Sequence, residues 1–158
     1  MRIIFLILIG AVVVTGCDES RVYEENIDLE HGAWMIGHKP EFEFEIRDTT
    51  ITYNLYCNVR NSLQYPFSRL FVTYYLQDSI GKVSEKKMVT RMMFDPKTGK
   101  PSGSSGLGDI YDHQFLILNK YRFPYSGRHR IKFEQFMRAD TLAGVLAVGV
   151  RVEKVIAD

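Results

Sequence analysis

Apolar and polar residues alternate with a period of two along most of the chain, which is the pattern of β-strands with one buried face. In the segment EFEFEIR, Phe42, Phe44 and Ile46 occupy one face and charged residues occupy the other. In the segment ITYNLYCNVRN, the apolar face includes Tyr53 and Cys57. The glutamates of the first segment also predict an edge strand, because charge on an edge discourages pairing with a second sheet.

Further segments continue the same pattern towards the C-terminus. RLFVTYYLQ, DIYDHQFLIL, RHRIKFEQF and GVLAVGVRVEKV each predict a strand, whereas EKKMVTRMMF fits a strand or a helix by pattern alone. About seven or eight strands at intervals of roughly ten residues, with no long helical pattern, predict an all-β fold. The expected architecture is a single antiparallel β-sandwich, either jelly-roll or immunoglobulin-like.

The N-terminus departs from this pattern. Arg2 is followed by an apolar run over residues 3–14, which is shorter than the roughly 20 residues that span a bilayer. A charged start, a short apolar core and small residues at its end are typical of a secretory signal peptide. The sequence VTGC, which ends at Cys17, resembles the lipobox of bacterial lipoproteins. That resemblance implies cleavage before Cys17 and a diacylglyceryl thioether on its sulfur. The alternative is a chance cysteine beside an ordinary cleavage site.

These features predict the organisation of the chain. We expect a cleaved signal peptide over residues 1–16, a lipidated tether over residues 17–33 and the β-sandwich over residues 34–158. Trp34, the only tryptophan, is expected to pack onto the sandwich. Two acyl chains give stable anchoring, because each buried methylene group contributes about 0.8 kcal/mol. No cofactor is expected apart from this covalent lipid on Cys17, through which the protein binds the membrane.

The net charge of the chain after the predicted signal peptide excludes one class of function. Removing residues 1–16, which include Arg2, leaves 142 of 158 residues and 19 of the 20 basic side chains, against 19 acidic ones. A balanced charge argues against a nucleic-acid-binding protein, which would carry a basic excess. It also predicts no polybasic patch for anionic lipids, so the acyl chains are expected to supply the membrane affinity.

The reactive residues form no recognisable catalytic or metal-binding motif. Cys57 is the only cysteine besides Cys17, so a disulfide framework is excluded, and its apolar strand face predicts a buried thiol. His31 and His38 are close in sequence, but two histidines without a third ligand make a weak metal site. The segment from Asp95 to Asp109 is rich in Gly, Ser and Pro and lacks phosphate-loop and serine-hydrolase motifs, which favours a long connection. We expect no enzymatic activity and no small-molecule substrate.

Several short motifs follow one another in a fixed order over nearly all of the chain after the leader. They are Phe42-x-Phe44-x-Ile46-x-Asp48-Thr49, Tyr53-Asn54, Arg60-Asn61, Tyr65-Pro66 with Leu70, GLGDIYDH, FPYSGRHRIKFEQFMR and LAGVLAVGVRVEK. In order and spacing they resemble the gliding-motility lipoprotein family GldH of the Bacteroidetes. The resemblance implies a non-enzymatic accessory or assembly component of the gliding apparatus, which is linked to type IX secretion. It also implies a lipid-anchored envelope protein, in the outer membrane and facing the periplasm, whose partners are other envelope proteins of that apparatus.

Contacts with such partners are expected from exposed loops, where aromatic and arginine side chains contribute most binding energy. The predicted contact surface consists of Tyr65, Pro66, Phe67, Arg69, Gly106 and Asp109. A turn whose aromatic side chains cap the sandwich is the alternative for the first three residues.

Two other functional classes remain as alternatives. A carbohydrate-binding lipoprotein would require a coplanar row of exposed aromatic side chains. An envelope enzyme would require a cleft in which distant groups, for example Asp48, Arg60 and His113, converge with shifted pKa values.

Overall fold

The computed structural model describes residues 18–156, which form eleven β-strands and one turn of 3₁₀ helix at Glu30–Gly32. The predicted signal peptide and Cys17 lie outside the described residues. The strands are β1 (Arg21–Asp28), β2 (Ala33–Met35), β3 (Glu41–Ile46), β4 (Tyr53–Ser62), β5 (Arg69–Asp78), β6 (Val83–Met92), β7 (Ser104–Ser105), β8 (Ile110–Tyr121), β9 (Gly127–Gln135), β10 (Thr141–Ala143) and β11 (Val145–Lys154). Within residues 18–156, no helix has the length and apolar character needed to cross a membrane.

The strands form two antiparallel sheets that face each other. One sheet has the order β1-β11-β4-β8-β7 and the other has the order β3-β9-β5-β6, while β2 and β10 form a separate two-stranded ribbon. The prediction of an all-β antiparallel sandwich is confirmed, and eight of the strands have six or more residues. The segment EKKMVTRMMF, which fits a strand or a helix by pattern, forms strand β6 at one edge of the four-stranded sheet. The glutamate-rich segment EFEFEIR forms β3 at the other edge, as its charge predicts.

The core lies between the two sheets and follows the alternation of the sequence. In β4, Tyr53 and Cys57 point into the core, and in β3 the same is true of Phe42, Phe44 and Ile46. Beside β4 in the same sheet, Val148, Val150 and Val152 of β11 are fully buried. Trp34 is also fully buried, and its indole N–H donates to the carbonyl oxygen of His38 at 2.8 Å. The expectation that this tryptophan packs onto the sandwich is therefore confirmed.

Strand β1 lies inside the segment that the sequence predicts as a tether. It pairs antiparallel with β11, from Arg21 opposite Glu153 to Asp28 opposite Ala147. The assignment of a tether to residues 17–33 is therefore wrong from Arg21 onward, and the sandwich begins there rather than at residue 34. The strand resembles a linker in sequence because it lies at a sheet edge, where a polar outer face and charged residues are tolerated.

The loops gather at the two ends of the sandwich, as the strand pairings require. The proximal end, named for the position of Asp18 next to Cys17, comprises residues 18–20, 47–52, 79–82, 122–126 and 155–156. The distal end comprises residues 29–40, 63–68, 93–109 and 136–144.

Candidate functional surfaces

The turn between β4 and β5 carries the aromatic half of the predicted contact surface. Tyr65 is buried, and its hydroxyl donates to the carbonyl oxygen of Arg69 at 2.8 Å. Its ring packs on Phe94 and edge-on against Phe67. Pro66, Phe67 and Arg69 are exposed. Tyr65 therefore caps the sandwich, whereas Phe67 is accessible to a partner.

The Gly-rich loop meets this turn at the distal end. The carbonyl oxygen of Asp109 accepts a hydrogen bond from the backbone N–H of Leu63 at 3.2 Å. Gly106 donates to the carbonyl oxygen of Ile110 at 2.8 Å, and both Gly106 and Asp109 are exposed. The fold thus brings together the two segments that the sequence predicts as contact regions.

An apolar groove, which we call the distal groove, runs from this turn over the outer face of β5 and β6. Its volume is about 640 Å3. Its apolar lining consists of Ile36, Phe67, Phe71, Met88, Phe136 and Met137. Of these, Phe136 is the most exposed at 64% of its surface, and Ile36 and Met88 are about half exposed. Contiguous exposed apolar surface of this kind is typical of interaction sites on soluble domains.

Backbone contacts hold the distal groove in shape. The N–H of Phe136 donates to the carbonyl oxygen of Phe71 at 2.8 Å, and the N–H of Phe71 lies 3.4 Å from the sulfur of Met137. On the rim, the carboxylate of Glu134 accepts a hydrogen bond from the Lys39 ammonium at 2.7 Å, and this contact lowers the pKa of Glu134. An apolar centre with a polar rim is the usual arrangement of a protein–protein interface.

The outer face of the five-stranded sheet carries a second, polar groove of about 360 Å3. Side-chain amides cross it, because Gln114 donates to Asn58 at 3.3 Å and Asn58 donates to Asn26 at 3.3 Å. Among the described strands of this face, Tyr56 is the one aromatic residue that the alternation places outward. The coplanar aromatic row that a carbohydrate platform would require is therefore missing from the described part of this face.

The three residues considered for an enzyme do not converge. Arg60 forms an ion pair with Asp112 on the outer face, with Nε at 2.8 Å from the carboxylate. His113 points inward, where its Nε2 is 2.8 Å from the Oδ1 of Asn61 and burial lowers its pKa. Asp48 lies beside the opposite end of β4, where its carbonyl oxygen accepts the hydroxyl of Tyr53, and Tyr53 is about 23 Å from Arg60 along the strand at 3.3 Å per residue.

Metal and thiol chemistry also find no support within residues 18–156. No group of three or more His, Cys, Asp or Glu side chains is arranged there to hold a metal ion. The thiol of Cys57 is buried, and burial raises its pKa to about 12, so it is inert at neutral pH. The interpretation of Cys57 as a core residue agrees with this position.

A buried histidine, His129, lies in an aromatic cluster near the proximal end. His129 is buried, and its ring contacts Phe44, Phe123 and Tyr125 at centroid distances of 4.7–6.2 Å. Its Nε2 is 3.1 Å from the carbonyl oxygen of Tyr125, while Nδ1 has no described partner. Burial lowers the pKa of His129 against the smaller opposing effects of that carbonyl and of Asp78. In the sequence, the alternation of apolar and polar residues along β9 places His129 on the inward face, and this pattern alone indicates that the side chain is buried.

This burial predicts a pH-dependent stability. Because the folded pKa of His129 is below its unfolded value of 6.5, unfolding takes up a proton and stability falls as the pH drops below 6.5. Urea denaturation at about pH 7.5 and about pH 5.5 should show a loss for the wild type that is smaller in His129→Phe. Some loss should persist, because burial also lowers the pKa of His113. An equal loss in both proteins would contradict the assignment.

Comparison with known proteins places the chain among lipoproteins. A sequence model described as GldH lipoprotein matches residues 21–152. A protein of Christiangramia forsetii named "Gliding motility lipoprotein GldH homolog" is 27% identical, covering 96% of this chain and 94% of its own. The Flavobacterium johnsoniae protein "Gliding motility lipoprotein GldH" is 24% identical, covering 94% of both chains.

Among solved structures, the infectious bursal disease virus VP2 subviral particle matches with a TM-score of 0.38 and 14% identity. The match covers 96% of this chain, which spans 37% of the viral chain. A structure of the Gx strain of the same virus matches with a TM-score of 0.34 and 12% identity, covering 87% of this chain and 30% of the viral chain.

Proposed function

The chain belongs to the GldH lipoprotein family, and from that premise we propose that it is a non-enzymatic assembly component of the gliding-motility machinery. In this proposal the lipid on Cys17 holds the domain on the periplasmic face of the outer membrane. Its partners are other envelope proteins of the motility and type IX secretion apparatus. The family names support the coarser part of this function, a membrane-anchored gliding-motility lipoprotein of the cell envelope.

The distal groove is the observation that supports an assembly role. It exposes Phe136, Met88 and Ile36 on an otherwise well-packed sandwich, whereas Asp18, which follows Cys17 in the sequence, lies at the proximal end. A lipid anchor confines the domain to one leaflet and raises its effective concentration against neighbouring proteins, so a weak apolar contact is sufficient. We therefore assign the groove to an envelope protein that inserts apolar side chains between Phe67 and Phe136.

The alternatives lack a comparable feature. The polar groove with its amides could hydrogen-bond a sugar, but no Phe, Tyr or Trp side chain is among the described residues that line it. The proposed assembly role uses the exposed apolar lining of the distal groove, and it requires no reactive group.

The test is cross-linking in cells of the host, followed by affinity purification from solubilised membranes. We expect motility or secretion lipoproteins to co-purify with the wild type and to fall at least about tenfold with Phe136→Asp, because the new carboxylate would be desolvated in the interface. Leu116→Asp is the matched control, since Leu116 is exposed on the other sheet. Leu107→Asp probes the Gly-rich loop separately.

Cys17→Ser tests the anchor in the same experiment. We expect this variant to leave the membrane fraction and to lose its partners together with the lipid. Unchanged partners in Phe136→Asp would refute the groove as the contact. Purification of the wild type alone, or with polysaccharide, would refute the assembly role and favour carbohydrate binding.

A further inference from the structure

The anchor reaches the sandwich at a defined place. Only three residues, 18–20, separate Cys17 from strand β1 in the sequence, and consecutive Cα atoms are about 3.8 Å apart, so the connection is short. These three residues are held against strand β11. The Asp18 carboxylate is paired with Arg151, and the carbonyl oxygen of Ser20 accepts the N–H of Lys154 at 2.7 Å. Acyl chains on Cys17, if present as proposed, would therefore begin close to the proximal end.

Hydrogen bonds join the proximal loops into one continuous surface. The N–H of Val155 donates to the carbonyl oxygen of Thr52 at 2.9 Å, which links the C-terminal segment to loop 47–52. The guanidinium of Arg122 donates to a carbonyl oxygen of that same loop at 2.9 Å. From there loop 122–126, which connects the two sheets, reaches the β5–β6 hairpin, because the hydroxyl of Tyr125 donates to the Asp78 carboxylate at 2.7 Å. The surface thus extends from the anchor across to the β5–β6 turn.

That turn presents an apolar side chain to solvent. Ile80 is 86% exposed, although an isoleucine gains nothing from contact with water. The turn is held rigidly, since the carboxylate of Asp78 accepts the N–H groups of Ile80 and Lys82 at 3.0 and 2.7 Å. Tyr125 stands beside it, about two-fifths exposed, with its hydroxyl bound. Rings with one apolar and one polar part are enriched at membrane–water interfaces.

The acidic and basic side chains of the proximal end differ in whether they have partners within the protein. The acidic groups Asp18, Asp48 and Asp78 have internal partners, and these hydrogen bonds lower the pKa of each. Glu19 is the exception, because it is exposed and forms no ion pair with a described side chain. The basic side chains that form no ion pair with a described carboxylate are Lys82, Lys120, Arg122 and Lys154. Basic side chains near a membrane are attracted by anionic headgroups, and long ones reach them by extending.

We propose that the proximal end rests on the bilayer, with Ile80 and Tyr125 at the level of the headgroups and the free lysines on lipid phosphates. This inference rests on the proposed lipidation of Cys17. The near-zero charge of the whole chain hides this local arrangement, which the fold assembles from separate loops. Contact at both Cys17 and Ile80 fixes the orientation of the domain. The distal groove then lies on the side of the domain, and Phe136 at its distal end is about 30 Å from the bilayer, which is the length of the nine-residue strand β9.

Tryptophan quenching tests the contact with the lipidated, full-length protein. The protein is reconstituted into vesicles of phosphatidylethanolamine and phosphatidylglycerol, some of whose acyl chains carry bromine near the headgroup. Ile80→Trp places a quenchable indole at the proposed contact, and Leu107→Trp places one at the distal end, where Leu107 is 92% exposed. The native Trp34 is fully buried at the distal end and supplies the same background in both variants.

We expect bromine to reduce the added emission of Ile80→Trp by about twofold or more, and to leave that of Leu107→Trp close to its value in plain vesicles. Equal, weak quenching of both variants, in protein that floats with the vesicles, would overturn the inference while leaving the anchor intact. Protein that fails to float would instead refute lipidation of Cys17, and the inference would fall with it.

Discussion

Replacing Trp34 by alanine is expected to destabilise the domain by about 3–5 kcal/mol. The side chain is fully buried between the ribbon of β2 and β10 and the sandwich, and Leu142 lies opposite it in the ribbon. Its loss would leave a cavity at the distal end and an unpaired carbonyl oxygen at His38, which now accepts the indole N–H. Because most of this energy comes from packing, the deficit should appear in the unfolding free energy of the whole domain.

Two variants separate the contributions. Trp34→Phe keeps an aromatic ring but removes the donor, so it should cost about 1–3 kcal/mol. Met35→Ala alters the next residue, which is exposed on the opposite side of the strand, and should change stability by less than about 0.5 kcal/mol. Urea denaturation followed by circular dichroism measures all three. A cost for Trp34→Ala that is no larger than that of Met35→Ala would show that the ribbon does not belong to the cooperative core.

The strands that the sequence predicts well are those with one face in the core. In β3 and β4, burial alternates residue by residue, so hydrophobicity alternates as well. Strand β6 has no buried residue, and β1 is at most half-buried. A strand that buries little of its surface needs no such pattern, which explains why, in the sequence, β1 resembles a tether and β6 fits a strand or a helix equally well. The edge strand β3 alternates clearly because one of its faces is buried.

The distal groove could not be predicted from the sequence for a different reason. The distal groove takes single apolar residues from segments that are far apart in sequence, such as Ile36, Phe71 and Phe136. In the sequence each of them resembles a core residue, because hydrophobicity alone does not tell which face of a sheet is covered. Phe67 was predicted as a contact residue and is exposed, whereas the equally aromatic Tyr65 two positions earlier is buried. Only the packing of the turn separates the two.

Gly144 joins three parts of the distal end. Its N–H donates to the carbonyl oxygen of Gly32 at 2.9 Å, and its own carbonyl oxygen accepts the N–H of Ser62 at 2.8 Å. Its φ is +80°, in the left-handed region, and a Cβ at this position would contact the backbone N of Tyr65 and lie 2.8 Å from the carbonyl carbon of Gln64. Backbone atoms cannot rotate away as a side chain does, so the turn itself would have to move.

We therefore expect Gly144→Ala to cost about 2–5 kcal/mol, from left-handed strain and from the backbone clash together. Gly81→Ala provides the matched control, because Gly81 has nearly the same φ, +83°, with nothing within 4 Å of a Cβ. That control should show the strain alone, about 1 kcal/mol. The difference between the two variants in urea denaturation measures how firmly the turn that carries Tyr65 and Phe67 is fixed. Equal costs would mean that the turn yields freely, and the distal groove would then lack the rigid wall that Phe67 is expected to supply.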